Sequence, residues 1–332
     1  MKLVLRAIPN VVYKVPSRLV RHTGGQEEYS FWLQIHALGK ARVRRVRGVL
    51  RFYSGRKLIE SLSAPPGFWR SRIVSSQTAG RPGVYYLRLR TPDAAGLDKV
   101  TFALDILCGR ETARRHLSLP VMRYRSPVLL SIPVRGGALV FTDHTVRHGA
   151  EAGWFALDLL GLGPGNGLTR KYPPARPEDY FGPGTRITAP GPGIIVRTTD
   201  GVPDNKELGH ALSRKERLNC WRLRDWLLFG NHVVIRHARR CYSLLAHLKR
   251  GSVTVMPGEV IERAQTVGRL GNSGLSRLPH LHFQMMNSPD AFKAAGLPAY
   301  FKDIQIREYG RFRNALLRAG MYVQDCGQSI SV

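Results

Sequence analysis

Apolar and polar residues alternate with period two over much of the first 125 residues. Phe31, Leu33 and Ile35 alternate with Trp32, Gln34 and His36, and Tyr85, Leu87 and Leu89 with Tyr86, Arg88 and Arg90. Val100, Phe102, Leu104 and Ile106 form a third set. Such alternation marks strands with one buried face. Gly24-Gly25, Ser54-Gly55, Pro65-Pro66-Gly67, Pro82-Gly83 and Pro92-Asp93 separate the runs as turns. Short strands between turns of this kind predict an antiparallel, immunoglobulin-like sandwich over residues 1–128. No acids, cysteines or histidines converge there, so no chemistry is expected of it.

The pattern changes between Arg123 and Pro133, where a second unit, residues 129–332, is expected to begin. Its strands are predicted at 154–160, 193–198, 231–237, 241–248, 253–256 and 280–285, which makes the whole chain all-β. Gly161 to Gly193 is rich in Gly and Pro and lacks periodicity. A loop that long inside a compact domain is usually functional, and a rim over a substrate cleft is expected. Residues 206–228 read as partly helical or irregular, and short helical turns are expected after Pro289 and over Tyr309 to Ala319. No internal repeat is evident.

Composition narrows the classes. The chain has 332 residues, 43% of them hydrophobic, enough for two domains with real cores. No apolar run approaches the roughly 18 to 20 residues needed to span a bilayer. Met1 to Ser17, broken by Pro9 and Asn10, does not read as a signal peptide. A formal charge of +28 predicts attraction to polyanions, anionic cell-envelope polymers among them. That charge is scattered, and no zinc finger, aromatic RNA-binding signature or basic zipper accompanies it, so no specific nucleic acid is expected. The four cysteines lack a C-x-x-C and are too few for a disulfide framework. They read as buried thiols, with Cys220 and Cys241 the one candidate pair.

Chemistry concentrates in Leu278-Pro-His-Leu-His-Phe-Gln284. On an extended strand His280, His282 and Gln284 share one face, while Leu281 and Phe283 share the other. Imidazole is a favoured ligand of catalytic zinc. A bare His-x-His is weak evidence, but other segments join it. These are His144-Thr-Val-Arg-His148 followed by Trp154-Phe-Ala-Leu-Asp158, the strand Gly230-Asn231-His232-Val233-Val234-Ile235, Tyr242 to Leu248 with Gly251-Ser252-Val253, and Gly271-Asn-Ser-Gly274.

Taken in order with Phe181-Gly, Ala189-Pro190 and Asp204-Asn205, these motifs resemble the lysostaphin-like (LytM-like) zinc metallopeptidases, over about residues 137–300. The resemblance implies a C-terminal antiparallel β-sheet peptidase domain of the LytM, duplicated hybrid motif type. It implies one Zn²⁺ per chain, held by Asp158, His282 and a further histidine. Many relatives place that histidine three residues before the Asp, where this chain offers none. The longer spacing points to His148, with His144 as the fallback. By the same resemblance His247 and His280 are the catalytic, non-ligand pair. His232 is expected to be a strand-face histidine and His237 an exposed one in a hairpin turn.

Two imidazoles and one carboxylate leave zinc an open fourth position, the pattern of a catalytic site. A neutral histidine can take a proton and a protonated one can stabilise an oxyanion. Which of His247 and His280 does which stays open here. The resemblance implies a zinc endopeptidase acting on the peptide stem or cross-bridge of bacterial peptidoglycan, and so an extracytoplasmic location. The competing readings are a catalytically silent envelope protein of the same fold, which binds peptidoglycan or activates another hydrolase, and, more remotely, a nucleic-acid binder. The Gly271-Asn-Ser-Gly274 turn either lets backbone approach a substrate strand or simply joins two strands.

Overall fold

A computed structural model of the chain describes residues 3–8, 12–15, 26–37, 43–65, 83–92, 96–143, 153, 155–209 and 226–326. The chain divides into two compact units, Met1–Arg125 and Ser126–Val332.

The first unit holds β1 (Leu3–Ile8), β2 (Val12–Val15), β3 (Gln26–Ala37), β4 (Val43–Ser54), β5 (Lys57–Ala64), β6 (Gly83–Pro92), β7 (Lys99–Cys108) and β8 (Glu111–Arg123). They pair in the order β1-β3-β2-β8-β7-β4-β5, with β6 also on β3. Every pair is antiparallel except β2 with β8. Along β7 burial alternates residue by residue, so Val100, Phe102, Leu104, Ile106 and Cys108 meet Val46, Leu50 and Phe52 of β4 in the core. The alternation in sequence becomes a buried face because successive side chains of a strand point to opposite sides.

The second unit adds β9 (Ala138–Thr142), β10 (Leu157–Gly161), β11 (Arg186–Thr188), β12 (Gly193–Thr199), β13 (Asn231–Ala238), β14 (Cys241–Leu248), β15 (Val260–Ile261), β16 (Thr266–Arg269), β17 (Leu281–Met286), β18 (Gly296–Leu297), β19 (Tyr300–Ile306), β20 (Gly310–Leu316) and β21 (Tyr322–Asp325). The main sheet runs β15-β12-β13-β14-β17-β10-β9-β21-β19-β20, with β18 on β17, while β11 and β16 form a separate ribbon. The chain is therefore all-β. β17 lies between β14 and β10 and is buried along its whole length. On one face Phe283 meets Phe301, ring centres 5.8 Å apart. On the other, Leu244, Ala246 and Met286 pack with Leu228, Phe229, Ala291 and Ala294.

Three local expectations change. Gly161 to Gly193 is not without regular structure. It contains two short 3₁₀ turns, Pro164–Asn166 and Pro177–Asp179, and strand β11. Leu168 and Phe181, and Arg170 and Asp179, tie its two arms by backbone hydrogen bonds. Its polar, Gly-rich sequence folds on backbone pairing, which hydrophobic periodicity does not reveal. Tyr309 to Ala319 is largely the strand β20, because pairing with β19 overrides local propensity. Val253 to Met256 is extended but unpaired as a strand. Of the expected helical stretch, Trp226–Phe229 is a 3₁₀ turn, and residues 210–225, including Cys220, lie outside the described residues.

Candidate metal and catalytic site

Three neighbouring strands bring the chemistry together. The register pairs Asp158 of β10 with His282 of β17, and His282 with Ala246 of β14. Asp158 Oδ1 lies 3.0 Å from His282 Nδ1 and 3.4 Å from His280 Nε2. Its other oxygen, Oδ2, accepts the Thr142 hydroxyl at 2.6 Å. Alternation along β14 alone would send His247 to the face of Leu281, away from His282. His247 instead has φ of 63°, a left-handed backbone that histidine adopts rarely. That turn in the chain re-aims its ring, which ends 4.8 Å from the His280 ring and 5.9 Å from that of His282, centre to centre.

The loop Gly271-Asn-Ser-Gly274 holds His247 in place. His247 Nδ1 donates to the Ser273 carbonyl at 2.8 Å. Ser273 Oγ donates to Leu248 O and accepts from Asn231 N–H. Asp204 accepts the Asn272 amide, and the Asn205 side-chain amide reaches the carbonyls of Asn272, Gly274 and Ser276. The glycines are required by contact. A Cβ on Gly230 would sit 2.5 Å from Ser273 C, and one on Gly274 would sit 2.4 Å from Gly230 N. Both also have positive φ. The paired turns thus read chiefly as a structural clamp on His247.

Hydrogen bonds fix the proton positions, since a carbonyl oxygen only accepts. His247 and His280 each place Nδ1–H on a carbonyl, Ser273 O and Leu278 O, so each leaves Nε2 facing the site. Burial, together with the neighbouring imidazoles of His280 and His282, holds His247 well below the ordinary histidine range. Burial pulls His280 the same way, but the Asp158 charge and hydrogen bond outweigh it and raise His280.

His282 places Nε2 2.9 Å from Gln284 Oε1. That oxygen accepts, so Nε2 carries a hydrogen, and Nδ1 faces the Asp158 carboxylate at 3.0 Å across a proton in the metal-free chain or across a metal ion when one is bound. Zinc ligands at about 2.0 to 2.2 Å with tetrahedral angles lie roughly 3.3 Å from one another, so the donor set fits a divalent metal. Among the described residues no three His, Cys, Asp or Glu groups form a ready-made metal cage. The facing donors instead touch each other, and His144 and His148 lie outside the described residues.

Two further histidines, His232 and His237, have structural partners. His232 is fully buried, with Nδ1 on Gly230 O at 2.8 Å and Nε2 3.4 Å from Thr199 Oγ1. Burial lowers it to about 4 against the opposing Gly230 carbonyl, with Arg197 adding to the shift. His237, expected to be exposed, instead bridges Pro192 O and Ser243 Oγ and is lowered by burial. The hairpin turn follows it at Arg239 and Arg240, so its ring folds back on the sheet. Of the partners that steer the site, Gln284 had a signal in its position two residues after His282. Ser273 had one in the Gly271-Asn-Ser-Gly274 turn, while Thr142 had none, because its role depends on which strands meet.

Residues 178–294 match the family model described as Peptidase family M23. This part of the chain is similar to peptidase family M23. The chain is 26% identical over 120 residues to peptidoglycan DD-endopeptidase ShyA of Vibrio cholerae, covering 36% of this chain and 22% of that protein. It is 30% identical over 112 residues to peptidoglycan DD-endopeptidase ShyC of the same organism, covering 33% and 20%. The matched stretch thus spans about a fifth of each curated relative. Among solved structures, the catalytic domain of lysostaphin from Staphylococcus simulans aligns at 19% identity and a TM-score of 0.26, over 48% of this chain and 84% of that one. So loose a superposition carries no weight. No helix among the described residues is long and apolar enough to cross a membrane.

Proposed function

We propose that this chain is a zinc-dependent endopeptidase that hydrolyses peptide bonds in the stem or cross-bridge of bacterial peptidoglycan, outside the cytoplasm. The observation that carries the reading is the Asp158 carboxylate opposed to His282 Nδ1 at 3.0 Å, beside two further buried imidazoles. Asp158, His282 and His148, with His144 as the alternative to His148, would hold one Zn²⁺. When bound, zinc supplies Lewis acidity toward a water and a carbonyl oxygen.

The chain's own residues do the rest. His247 is neutral by burial, and Ser273 fixes its tautomer so that Nε2 is free to take a proton from the attacking water. His280, its Nδ1–H held by Leu278 O so that Nε2 faces the site, is the hydrogen-bond donor to the developing oxyanion and the proton source for the leaving amine. Exclusion of water by the fully buried strand β17 strengthens both interactions. The names of the two Vibrio cholerae relatives support the peptidoglycan substrate, and the charge of +28 suits an anionic envelope. Residues 1–128 are proposed as an accessory β-sandwich domain, and 129–332 as the peptidase domain.

The test is digestion of purified peptidoglycan by the zinc-loaded chain, with new amino termini read by mass spectrometry and zinc by elemental analysis. One zinc per chain and new termini, both lost in His282→Ala, are expected. A chain that holds zinc and binds peptidoglycan yet releases no termini is the silent envelope protein, and the enzyme reading fails.

A further inference from the structure

Gln284 has no part in the chemistry above, yet it lies against the proposed metal ligand His282. We propose that Gln284 is a positioning residue that fixes the tautomer of His282 and thereby sets how tightly the site holds a divalent metal. This inference rests on the reading of His282 as a ligand.

The amide is buried to 1% exposure on the histidine-bearing face of β17. Its Oε1 lies 2.9 Å from His282 Nε2, and its Nε2 lies 3.5 Å from Met286 Sδ. A thioether sulfur can accept a hydrogen bond but not donate one. The NH₂ end therefore belongs beside Met286 and the oxygen beside the imidazole. The reversed amide would set oxygen against sulfur, two acceptors with no hydrogen between them. With the oxygen inward, His282 must keep its hydrogen on Nε2, so Nδ1, which faces Asp158, is the nitrogen left to give up its proton to a metal. A metal requires that release, since a ligand nitrogen cannot carry a proton. The accepted hydrogen bond also makes the ligand more basic and fixes the ring plane.

Other residues at 284 would behave differently. Leucine gives His282 no acceptor at Nε2, so the ring is free to place its hydrogen on Nδ1 and donate it to Asp158. The metal must then displace that bond. Glutamate can only accept when ionised, so it enforces the loading tautomer more strongly than the amide does. Gln284 thus holds an intermediate position: it favours the metal-ready form without burying a second negative charge beside Asp158.

The test uses the full chain. Zinc affinity is measured by competition with a chromogenic chelator for wild type, Gln284→Leu and Gln284→Glu, with circular dichroism to check the fold. Histidine ¹⁵N spectra of the metal-free wild type report which His282 nitrogen is protonated and do not depend on any variant folding. Gln284→Leu is expected to weaken zinc binding about 10- to 100-fold. Gln284→Glu is expected to bind at least as tightly as wild type, and wild-type His282 to carry a proton on Nε2. A Gln284→Leu affinity within threefold of wild type, or a wild-type His282 protonated on Nδ1 alone, overturns the role of Gln284. A wild type that binds no zinc but is protonated on Nε2 refutes the metal reading instead, while the hold of Gln284 on the tautomer stands.

Discussion

His232 offers a quantitative test of how the sheet of the second unit is held together. Its ring is fully enclosed, with Nδ1–H on Gly230 O and Nε2 3.4 Å from the Thr199 hydroxyl. Burial drops it from 6.5 to about 4. In the unfolded chain the same residue takes up its proton near pH 6.5. The unfolded state therefore binds more protons in between, and stability falls as pH drops through that window. The loss begins near pH 6.5 and is complete below about pH 4, where it totals about 3 kcal/mol. At pH 5 the 1.5 units below the unfolded-state value are worth about 2 kcal/mol. His232→Asn keeps a donor near Gly230 O but cannot titrate. It is expected to be less stable than wild type at pH 8 and to lose about 2 kcal/mol less on going to pH 5. Urea unfolding of both proteins in chelator at the two pH values gives the difference, and the other histidines cancel in it. Parallel pH dependences, or a His232 ring proton that titrates near 6.5 by NMR, would refute the reasoning.

Other outcomes follow from the same geometry. His247→Ala is expected to retain stoichiometric zinc while kcat falls about 10²- to 10⁴-fold; loss of zinc on this substitution would make His247 a ligand. Because His247 stays unprotonated well below the usual histidine range, the acid limb of kcat/KM is expected well below pH 6.5. An acid limb at or above 6.5 would take the base role away from it. Gly230→Ala, forced to positive φ with its Cβ against Ser273, is expected to cost about 2–4 kcal/mol in urea unfolding. A cost below about 1 kcal/mol would mean the clamp on Ser273 is soft.

Much of this arrangement can be read from residue order. The alternation of Val100, Phe102, Leu104 and Ile106 becomes a buried strand face, and His282 and Gln284 share a face as their spacing requires. The motif residues Asp158, His247, His280 and His282 are drawn into one cluster. What the sequence hides is long-range or conformational. His247 reaches that cluster only through a left-handed backbone, which no alternation rule anticipates. Thr142 meets Asp158 because β9 pairs with β10, a neighbour relation that neither strand declares. The arms of the Gly161 to Gly193 segment are joined by main-chain bonds, to which any residue type contributes alike. His237 looked exposed because arginines follow it, yet a Ser243 hydroxyl on the next strand captures it.

The unusual backbone at His247 has a consequence for how this protein can be inactivated. A histidine in that conformation is held at a cost of roughly 1–3 kcal/mol, and it is kept there by the Ser273 carbonyl and by Gly271 N–H on its own carbonyl. A lesion that frees either tether lets the residue relax to ordinary extended geometry and swing its ring through the sheet to the greasy side. Such a chain would keep every reactive group and still lose the proposed base from the cluster, a loss of function written in a torsion angle.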